Sequence, residues 1–151
     1  MDEIFIKKTI YGEYFDDKIQ DVYLLNKSSA FNIWSKYIDR NSNSFFRLDD
    51  SNPIILNASV KGYWRDLYDF EDLSKLKNIL LSILDWQDSD QIYFCLNKST
   101  IIETNYSVLL NNIFSFLELY DDCPIIINCN KKNTEYIYFT SFGDIYHSFK
   151  N

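Results

Sequence analysis

Glycine is scarce in this chain, and its spacing excludes the common nucleotide sites. The 151 residues contain three glycines, Gly12, Gly62 and Gly143, which lie far apart. A phosphate-binding loop needs glycines grouped within a few residues, and the dinucleotide-binding fingerprint needs the same. The sequence therefore predicts no nucleotide cofactor.

Histidine is nearly absent, which argues against a metal centre and against hydrolase chemistry. His147 has no second histidine with which to share a metal, and the chain contains no CxxC pair. Ser148 follows His147 directly, so on a strand the two side chains point to opposite faces. Strand alternation predicts an exposed or edge position for His147. We therefore expect no cofactor, no metal site, no catalytic residue and no enzymatic activity.

Cysteine is also rare, and long apolar runs are missing. Cys123 and Cys129 flank a predicted strand, which would hold them about 20 Å apart, so with Cys95 they are expected to be buried free thiols. No run approaches the roughly 18 apolar residues of a membrane span. The first residues, Met1 to Ile4, are acidic where a secretory signal is basic. These features predict a cytoplasmic protein without membrane association.

Basic residues are outnumbered, which bears on the kind of partner. The chain has 22 acidic and 15 basic residues, a net charge of −7. An acidic protein repels phosphate backbones, so direct nucleic-acid binding is disfavoured and a basic partner is favoured. Hydrophobic residues make up 46% of the chain and aromatic residues 18%, which predicts a folded core and not disorder.

The segment from Gln91 to Asn128 is predicted to form the centre of the fold as strand, helix, strand. Gln91 to Leu96 is rich in β-branched and aromatic residues, which is typical of a strand. A helix capped by Thr104 or Asn105 is predicted to run to Tyr120, and three strands joined by tight turns follow it.

The earlier part of the chain adds shorter elements. We predict a first strand around Ile4 and Ile6, a helix capped by Ser28-Ser29, a strand at Pro53–Asn57, a loop at Tyr63–Phe70, and a helix capped by Asp69. Residues 1–151 are therefore predicted to form a single α+β domain. Its sheet, antiparallel or mixed, would have about five strands, with about three helices packed mainly on one face.

The stretch from Tyr63 to Asp90 is the predicted partner-binding patch. It carries seven acidic residues against three basic ones, and interfaces are enriched in tyrosine and tryptophan. An alternative interpretation is that the aromatic residues belong to the core and the acids to a solvated face. The predicted partner-binding residues are Tyr63, Trp64, Asp66, Tyr68, Asp69, Asp85, Trp86, Asp88 and Asp90.

Glu103 is a separate candidate, for a catalytic or ligand-binding carboxylate. It is predicted to lie where a strand meets a helix, where burial can shift the pKa of a carboxyl group. The competing interpretation is an acid placed at a helix start by the helix dipole. A small enzyme or a ligand-binding domain with a pocket near Glu103 is therefore the alternative function, and a regulatory protein-binding module is a third.

Two resemblances accompany these patterns. The segments Tyr93–Leu96 and Thr100–Thr104 resemble the central block of a family of small uncharacterised bacterial domains. The acidic, aromatic-rich character of the chain resembles the immunity proteins of contact-dependent growth inhibition and related polymorphic toxin systems. That resemblance implies a chain that binds one cognate toxin domain, commonly a nuclease, and blocks its basic active site as a phosphate mimic.

Overall fold

An eight-stranded antiparallel sheet forms the centre of the protein, in the order β1-β2-β5-β4-β6-β7-β8-β3. The computed structural model describes residues 2–119 and 122–151. Within them the strands are β1 Glu3–Phe5, β2 Tyr23–Leu25, β3 Ser59–Tyr63, β4 Gln91–Asn97, β5 Thr100–Asn105, β6 Ile125–Asn128, β7 Thr134–Phe139 and β8 Asp144–Lys150.

Six α-helices accompany the sheet in the described residues. They are α1 Lys27–Tyr37, α2 Pro53–Leu56, α3 Arg65–Asp69, α4 Leu73–Ile83, α5 Tyr106–Asn111 and α6 Ile113–Leu117. Three single-turn 3-10 helices cover Ile6–Lys8, Gly12–Tyr14 and Phe45–Arg47. The predicted α+β class and the antiparallel sheet are confirmed, whereas five strands and three helices were too few.

Helices lie on both faces of the sheet, with α3 to α6 on one face and α1 and α2 on the other, so the expected single helical layer is accompanied by a smaller second one. The strands alternate, as Phe94 faces one side and Cys95 faces the other. Helices α4, α5 and α6 pack on the Phe94 side, where their buried residues include Leu76, Leu80, Leu109, Ile113 and Phe116. Helices α1 and α2 cover the Cys95 side with Ala30, Trp34 and Ile54.

The central unit is strand, strand, helix, strand. Thr100–Asn105 is strand β5, which pairs with β4 after a tight turn at Lys98 and Ser99. The side chain of Asn97 holds this turn by accepting a hydrogen bond from the Ser99 backbone N–H at 3.0 Å. Glu103 therefore lies within a strand and not at a helix start, because hairpin pairing captures a segment too short to signal its own structure.

Proline at the start of a segment misled the prediction for Pro53–Asn57. These residues begin helix α2, in which Asn52 accepts a hydrogen bond from the Ile54 backbone N–H at 2.9 Å. Proline is favoured at the first position of a helix as well as at the start of a strand. The capping asparagine before it decides in favour of the helix.

Helix boundaries depend on capping side chains. Asn26, and not Ser28 or Ser29, caps α1 by accepting from the Ser29 backbone N–H. Asp72, and not Asp69, caps α4, because Asp69 is already the last residue of α3. The predicted cap Asn105 is confirmed for α5 by its bond from the Val108 backbone N–H at 2.9 Å.

Two further predictions concern chain segments around these helices. The segment Tyr63–Phe70 is not a loop, since it ends β3 and continues as α3. The predicted helix from Tyr106 to Tyr120 is divided at Asn112 into α5 and α6, and its last residue, Tyr120, lies outside the described residues. The predicted meander of β6, β7 and β8 is confirmed by their consecutive antiparallel pairing.

Candidate partner-binding surface

Trp64 is a core residue that fixes the β7–β8 hairpin to the start of α3. Its side chain is 3% exposed, and its indole Nε1–H donates to the Thr140 carbonyl at 2.9 Å. Its backbone N–H donates to the Gly143 carbonyl at 2.8 Å. A side chain this deeply buried cannot present its ring to a partner. Trp64 instead holds the β7–β8 turn and the start of α3 together.

Arg65 completes this attachment. Its guanidinium lies over the Trp64 ring at 4.6 Å and donates to the Ser141 carbonyl at 3.2 Å. Gly143 has φ of +97°, and a Cβ there would lie 3.2 Å from the Arg65 Cβ. The hairpin tip therefore packs closely on α3, and glycine fits both the backbone conformation and the narrow space.

Tyr68 is a half-buried residue whose hydroxyl is committed inside the protein. It donates to Glu118 Oε1 at 2.5 Å, and its ring packs edge-on against Trp64 and Phe114. The hydrogen bond to Glu118, followed by burial, raises the pKa of Tyr68 to about 12. The Tyr68 hydroxyl proton therefore already has its acceptor, Glu118, within the protein.

Several exposed aromatic and acidic residues lie on α3, on the turn after it, and on the β7–β8 turn that packs against it. Tyr63 is 65% exposed, and two aromatic residues absent from the sequence-based set are more exposed still, Phe70 at 83% and Phe142 at 92%. Exposed carboxylates accompany them along α3 and the turn after it. We call this the hairpin-end surface, defined by Tyr63, Asp66, Asp69, Phe70, Glu71, Asp72 and Phe142.

The turn Asp85–Asp90 lies at the other end of β7 and is organised by internal contacts. Trp86 is 6% exposed, donates from Nε1 to Glu135 Oε1 at 3.3 Å, and packs against Tyr106 with ring centroids 5.3 Å apart. It is a core residue, as the alternative interpretation had it. The turn therefore holds its tryptophan inside the fold.

The carboxylates of Asp85 and Asp90 in this turn contact other side chains or backbone groups of the protein. The Asp90 carboxylate accepts from the Gln87 backbone N–H at 3.0 Å and from Asn128 Nδ2 at 2.9 Å. Lys131 Nζ lies 3.6 Å from the Asp85 carboxylate and 3.9 Å from that of Asp90. Asp90 is mostly buried, whereas Asp85 and Asp88 are exposed.

The predicted patch is therefore two separate clusters. Trp86 contacts Glu135 near the start of β7, and Trp64 contacts Thr140 just beyond its end. Five residues of strand span about 17 Å. The residues predicted to form one patch therefore lie at opposite ends of strand β7. The exposed aromatic residues belong to the hairpin-end surface.

Glu103 borders a separate cavity on the face covered by α1. The cavity has a volume of about 580 Å³ and is lined by Asp2, Glu3, Leu25, Ser29, Asn32, Ile33, Tyr93 and Glu103. Burial raises the pKa of Glu103, and the charge of Glu3 and a hydrogen bond with its side chain act in the same direction. A hydrogen bond with Gln91 opposes them.

His147 lies in the interior of the sheet, so the prediction of an exposed or edge position was wrong. Its strand β8 pairs with β7 on one side and β3 on the other. His147 Nε2 lies 2.9 Å from Glu135 Oε1 on the face covered by α4. Ser148 points to the opposite face, as alternation predicts, and donates to the Pro53 carbonyl.

A model of one protein family matches residues 4–147, and its description reads "Protein of unknown function (DUF2947)". The chain belongs to this family. No curated protein and no solved structure matches it.

Cysteines in this DUF2947 protein are free, as predicted. Cys95 and Cys123 are buried and Cys129 is half-buried. Burial raises the pKa of all three thiols. Across residues 2–119 and 122–151, no group of three potential metal-binding side chains comes together and no helix is long and apolar enough to cross a membrane.

Phe70 and Phe142 are the exposed aromatic residues of the hairpin-end surface in this DUF2947 protein that the sequence-based set did not include. Phe142 lies in the four-residue turn Thr140–Gly143 between two predicted strands. A large aromatic residue in a tight turn has no core to enter, so its position was a usable signal. Phe70 gave no comparable signal, because the segment around it has no clear periodicity.

Proposed function

We propose that this protein is an immunity protein that binds a cognate toxin domain, most simply a nuclease, and covers its basic active-site cleft. The observation that supports this is the hairpin-end surface, which combines three exposed aromatic residues and four exposed acids on the end of β3, on α3 with the turn after it, and on the β7–β8 turn that packs on α3. Aromatic groups provide contact area and acids attract a basic partner. In this proposal the protein acts by occupying the toxin and has no turnover of its own.

Physical complementarity favours a nuclease as the partner. A nuclease cleft must hold phosphates and is therefore basic. Between Tyr63 and Asp72 the chain carries four acidic residues and one basic residue, Arg65. The acids are Asp66, Asp69, Glu71 and Asp72. Opposite charges accelerate association, whereas buried aromatic anchors slow dissociation.

The proposed contact residues differ from the partner-binding residues predicted from the sequence. Tyr63, Asp66 and Asp69 remain as direct contacts, and Phe70 and Phe142 join them. Trp64 and Tyr68 hold the surface in place, which reduces the entropy lost on binding. In the second cluster, the exposed Asp85 and Asp88 are left to add long-range attraction, while Trp86 and Asp90 maintain the fold.

Phe142→Ala tests the proposal directly. The binding partner to use is the product of the gene immediately upstream, produced as an inactive toxin domain, with kinetics measured by surface plasmon resonance. Loss of an interfacial aromatic anchor should cost about 2 kcal/mol of binding energy, mainly through faster dissociation. Because Phe142 is 92% exposed, the free energy of unfolding should change by less than about 0.5 kcal/mol.

Leu81→Ala is the matched control, since Leu81 is also an exposed apolar residue but lies on α4. It should leave both rate constants unchanged. Wild-type dissociation of the folded Phe142→Ala variant would place the interface elsewhere. An upstream gene that encodes a metabolic enzyme, with no binding between the products, would count against the immunity role itself.

A ligand-binding or small enzymatic function is the second proposal, supported by the cavity of about 580 Å³ beside Glu103. A carboxyl with a raised pKa in a cavity is a candidate proton donor or acceptor. Under the third proposal, a regulatory protein-binding module, the hairpin-end surface would bind another protein.

We place the protein in the cytoplasm, where its three free thiols would stay reduced.

A further inference from the structure

An aromatic cleft lies beside the hairpin-end surface, on the face of the sheet opposite α4. Its volume is about 380 Å³. The 3-10 helix Phe45–Arg47, the end of α2, and strands β7 and β8 enclose it. The residues lining it are Phe45, Phe46, Leu48, Asp50, Ile55, Ala58, Tyr138, Thr140 and Tyr146.

Three partly or fully exposed rings, Phe45, Phe46 and Tyr146, border this aromatic cleft, and a fourth ring, the buried Tyr138, packs against two of them. Tyr138 and Tyr146 are cross-strand partners whose rings stack with centroids 5.0 Å apart and planes 12° apart. Phe45 packs against Tyr138 at 4.9 Å, and Phe46 meets Phe45 edge-on at 5.7 Å. Phe46 is 68% exposed, so it lies at the open side.

Charge at the aromatic cleft favours a cationic guest. Asp50 lines it with an exposed side chain, and Asp49 precedes it in the chain. Aromatic faces attract cations, and an arginine guanidinium can stack on a ring while it bonds a carboxylate. An uncharged apolar side chain could also pack on the rings, but it would leave Asp50 without a partner.

The protein's own cations occupy other rings. Among the described residues, the cation–ring contacts join Lys36 to Tyr37, Arg65 to Trp64 and Lys98 to Phe31. The four rings of the aromatic cleft take no part in these contacts. Arg47 belongs to the bordering 3-10 helix but is not among the residues that line the cleft.

The aromatic cleft is continuous with the proposed interface. Tyr63 of the hairpin-end surface pairs with Asp144, two residues before Tyr146. Thr140 both lines the cleft and accepts the Trp64 hydrogen bond. A basic partner seated on the hairpin-end surface would therefore have its side chains within reach of the cleft.

We propose that the aromatic cleft receives an arginine side chain of the basic partner. The assignment of that arginine to the partner rests on the proposed function. The affinity of the cleft for an arginine side chain is a property of this chain alone. It can therefore be measured without any toxin.

The experiment is a nuclear magnetic resonance titration of the full-length protein with N-acetyl-arginine amide. N-acetyl-citrulline amide, which has nearly the same shape but no charge, is the matched ligand. Arginine amide should shift the signals of Ile55, Ala58 and Tyr146 with a dissociation constant of about 1–10 mM, as a single side chain allows. Citrulline amide should shift them little.

Two variants localise the effect. Phe46→Ala and Asp50→Asn should each weaken arginine amide binding about fivefold, because each removes one attractive partner of the guanidinium. Leu56→Ala should bind normally, since Leu56 is as exposed as Phe46 at 68% but does not line the cleft. For each variant, amide signals outside the aromatic cleft that match those of the wild type would show that the fold is intact.

Equal shifts from citrulline amide, or wild-type affinity in Phe46→Ala, would overturn the proposal. The outcome is separable from the fate of the proposed function. Arginine binding without any toxin capture refutes the immunity role and leaves the cation site. Toxin capture that depends on Phe142 without arginine binding refutes the cation site alone.

Discussion

At the scale of single residues, burial separates the aromatic residues that hold the fold from those that are free to bind. Trp64 and Trp86 are almost completely buried, whereas Phe142 and Tyr63 are exposed. All four are aromatic residues in polar or acidic surroundings along the sequence. Their roles differ because the first two pack into the core, where their indoles donate to Thr140 and Glu135, whereas the others lie at the end of β3 and in the β7–β8 turn.

Trp86→Ala tests the assignment of Trp86 to the core. Removing a buried tryptophan leaves a cavity and should lower the free energy of unfolding by about 3–5 kcal/mol. Urea denaturation followed by circular dichroism measures this change. Trp86→Phe, which fills more of the space, should retain more stability, and a loss below about 1 kcal/mol in Trp86→Ala would contradict the assignment.

Glu103→Gln tests the electrostatic setting of the cavity beside Glu103. Burial and Glu3 raise the pKa of Glu103 above its ordinary value of 4.5 in the folded protein, so the folded state favours the protonated form. The ionised carboxylate therefore destabilises the fold progressively as pH rises from about 4.5 through the folded pKa. The variant should be more stable than wild type at pH 7 and equal to it at pH 4.

Urea denaturation between pH 4 and pH 8 provides the measurement for Glu103→Gln. Glu3→Gln is the companion variant, because it removes a neighbouring charge that raises the pKa of Glu103. It should shift the loss of stability toward lower pH. Equal stability of Glu103→Gln and wild type at pH 7 would show that Glu103 is solvated.

At the scale of elements, caps and turns place the candidate surface. Asp72 starts α4 one short turn after α3 ends, and Glu71 between them has φ of +56°. The Gly143 carbonyl accepts the Trp64 backbone N–H, which joins the β7–β8 turn to α3. The caps and turns are local, whereas the Trp64–Gly143 bond joins distant segments and places the Phe142 turn beside the start of the helix that Phe70 ends.

Gly143→Ala tests the coupling between the hairpin turn and α3. Alanine at φ of +97° is strained, and its Cβ would lie 3.2 Å from the Arg65 Cβ. The variant should lose about 1–2 kcal/mol of stability in thermal or urea unfolding. Gly143→Asn should lose less, since asparagine tolerates positive φ better, and equal losses in both would assign the effect to crowding alone.

Sequence patterns were most informative where an element's own residues decide its structure. The stripe of Leu76 and Leu80 predicted α4, and the β-branched run at Gln91 predicted β4. β5 and α2 were missed because a hairpin partner and a capping asparagine decide them. The candidate surface was partly predicted, since Tyr63, Asp66 and Asp69 remain while both tryptophans move to the core.

At the scale of the whole molecule, charge is distributed between two ends of the sheet. The hairpin-end surface carries Asp66 and Asp69, and the Asp85–Asp90 turn carries Asp85 and Asp88. Attraction over long distances depends on all of them, but only charges at the interface stay close to the partner in the transition state for association. Comparing the two ends therefore locates the interface.

Asp66→Asn/Asp69→Asn should slow association with the toxin domain about tenfold at low salt, with a smaller effect at 0.5 M salt where screening is strong. Asp85→Asn/Asp88→Asn removes the same charge at the opposite end and should slow association much less. Stopped-flow fluorescence at several ionic strengths measures both. Equal effects of the two double variants would mean that net charge, and not a localised surface, attracts the partner.

The sequence by itself determined the α+β class, the net negative charge, helices α1 and α4 and the β6–β8 meander. Each follows from composition or from spacing within a few residues. Only the tertiary structure decided the strand order, the covering of both faces, and the division of the Tyr63–Asp90 stretch into two clusters. These features depend on contacts between distant parts of the chain, such as Trp64 with Thr140 and Trp86 with Glu135.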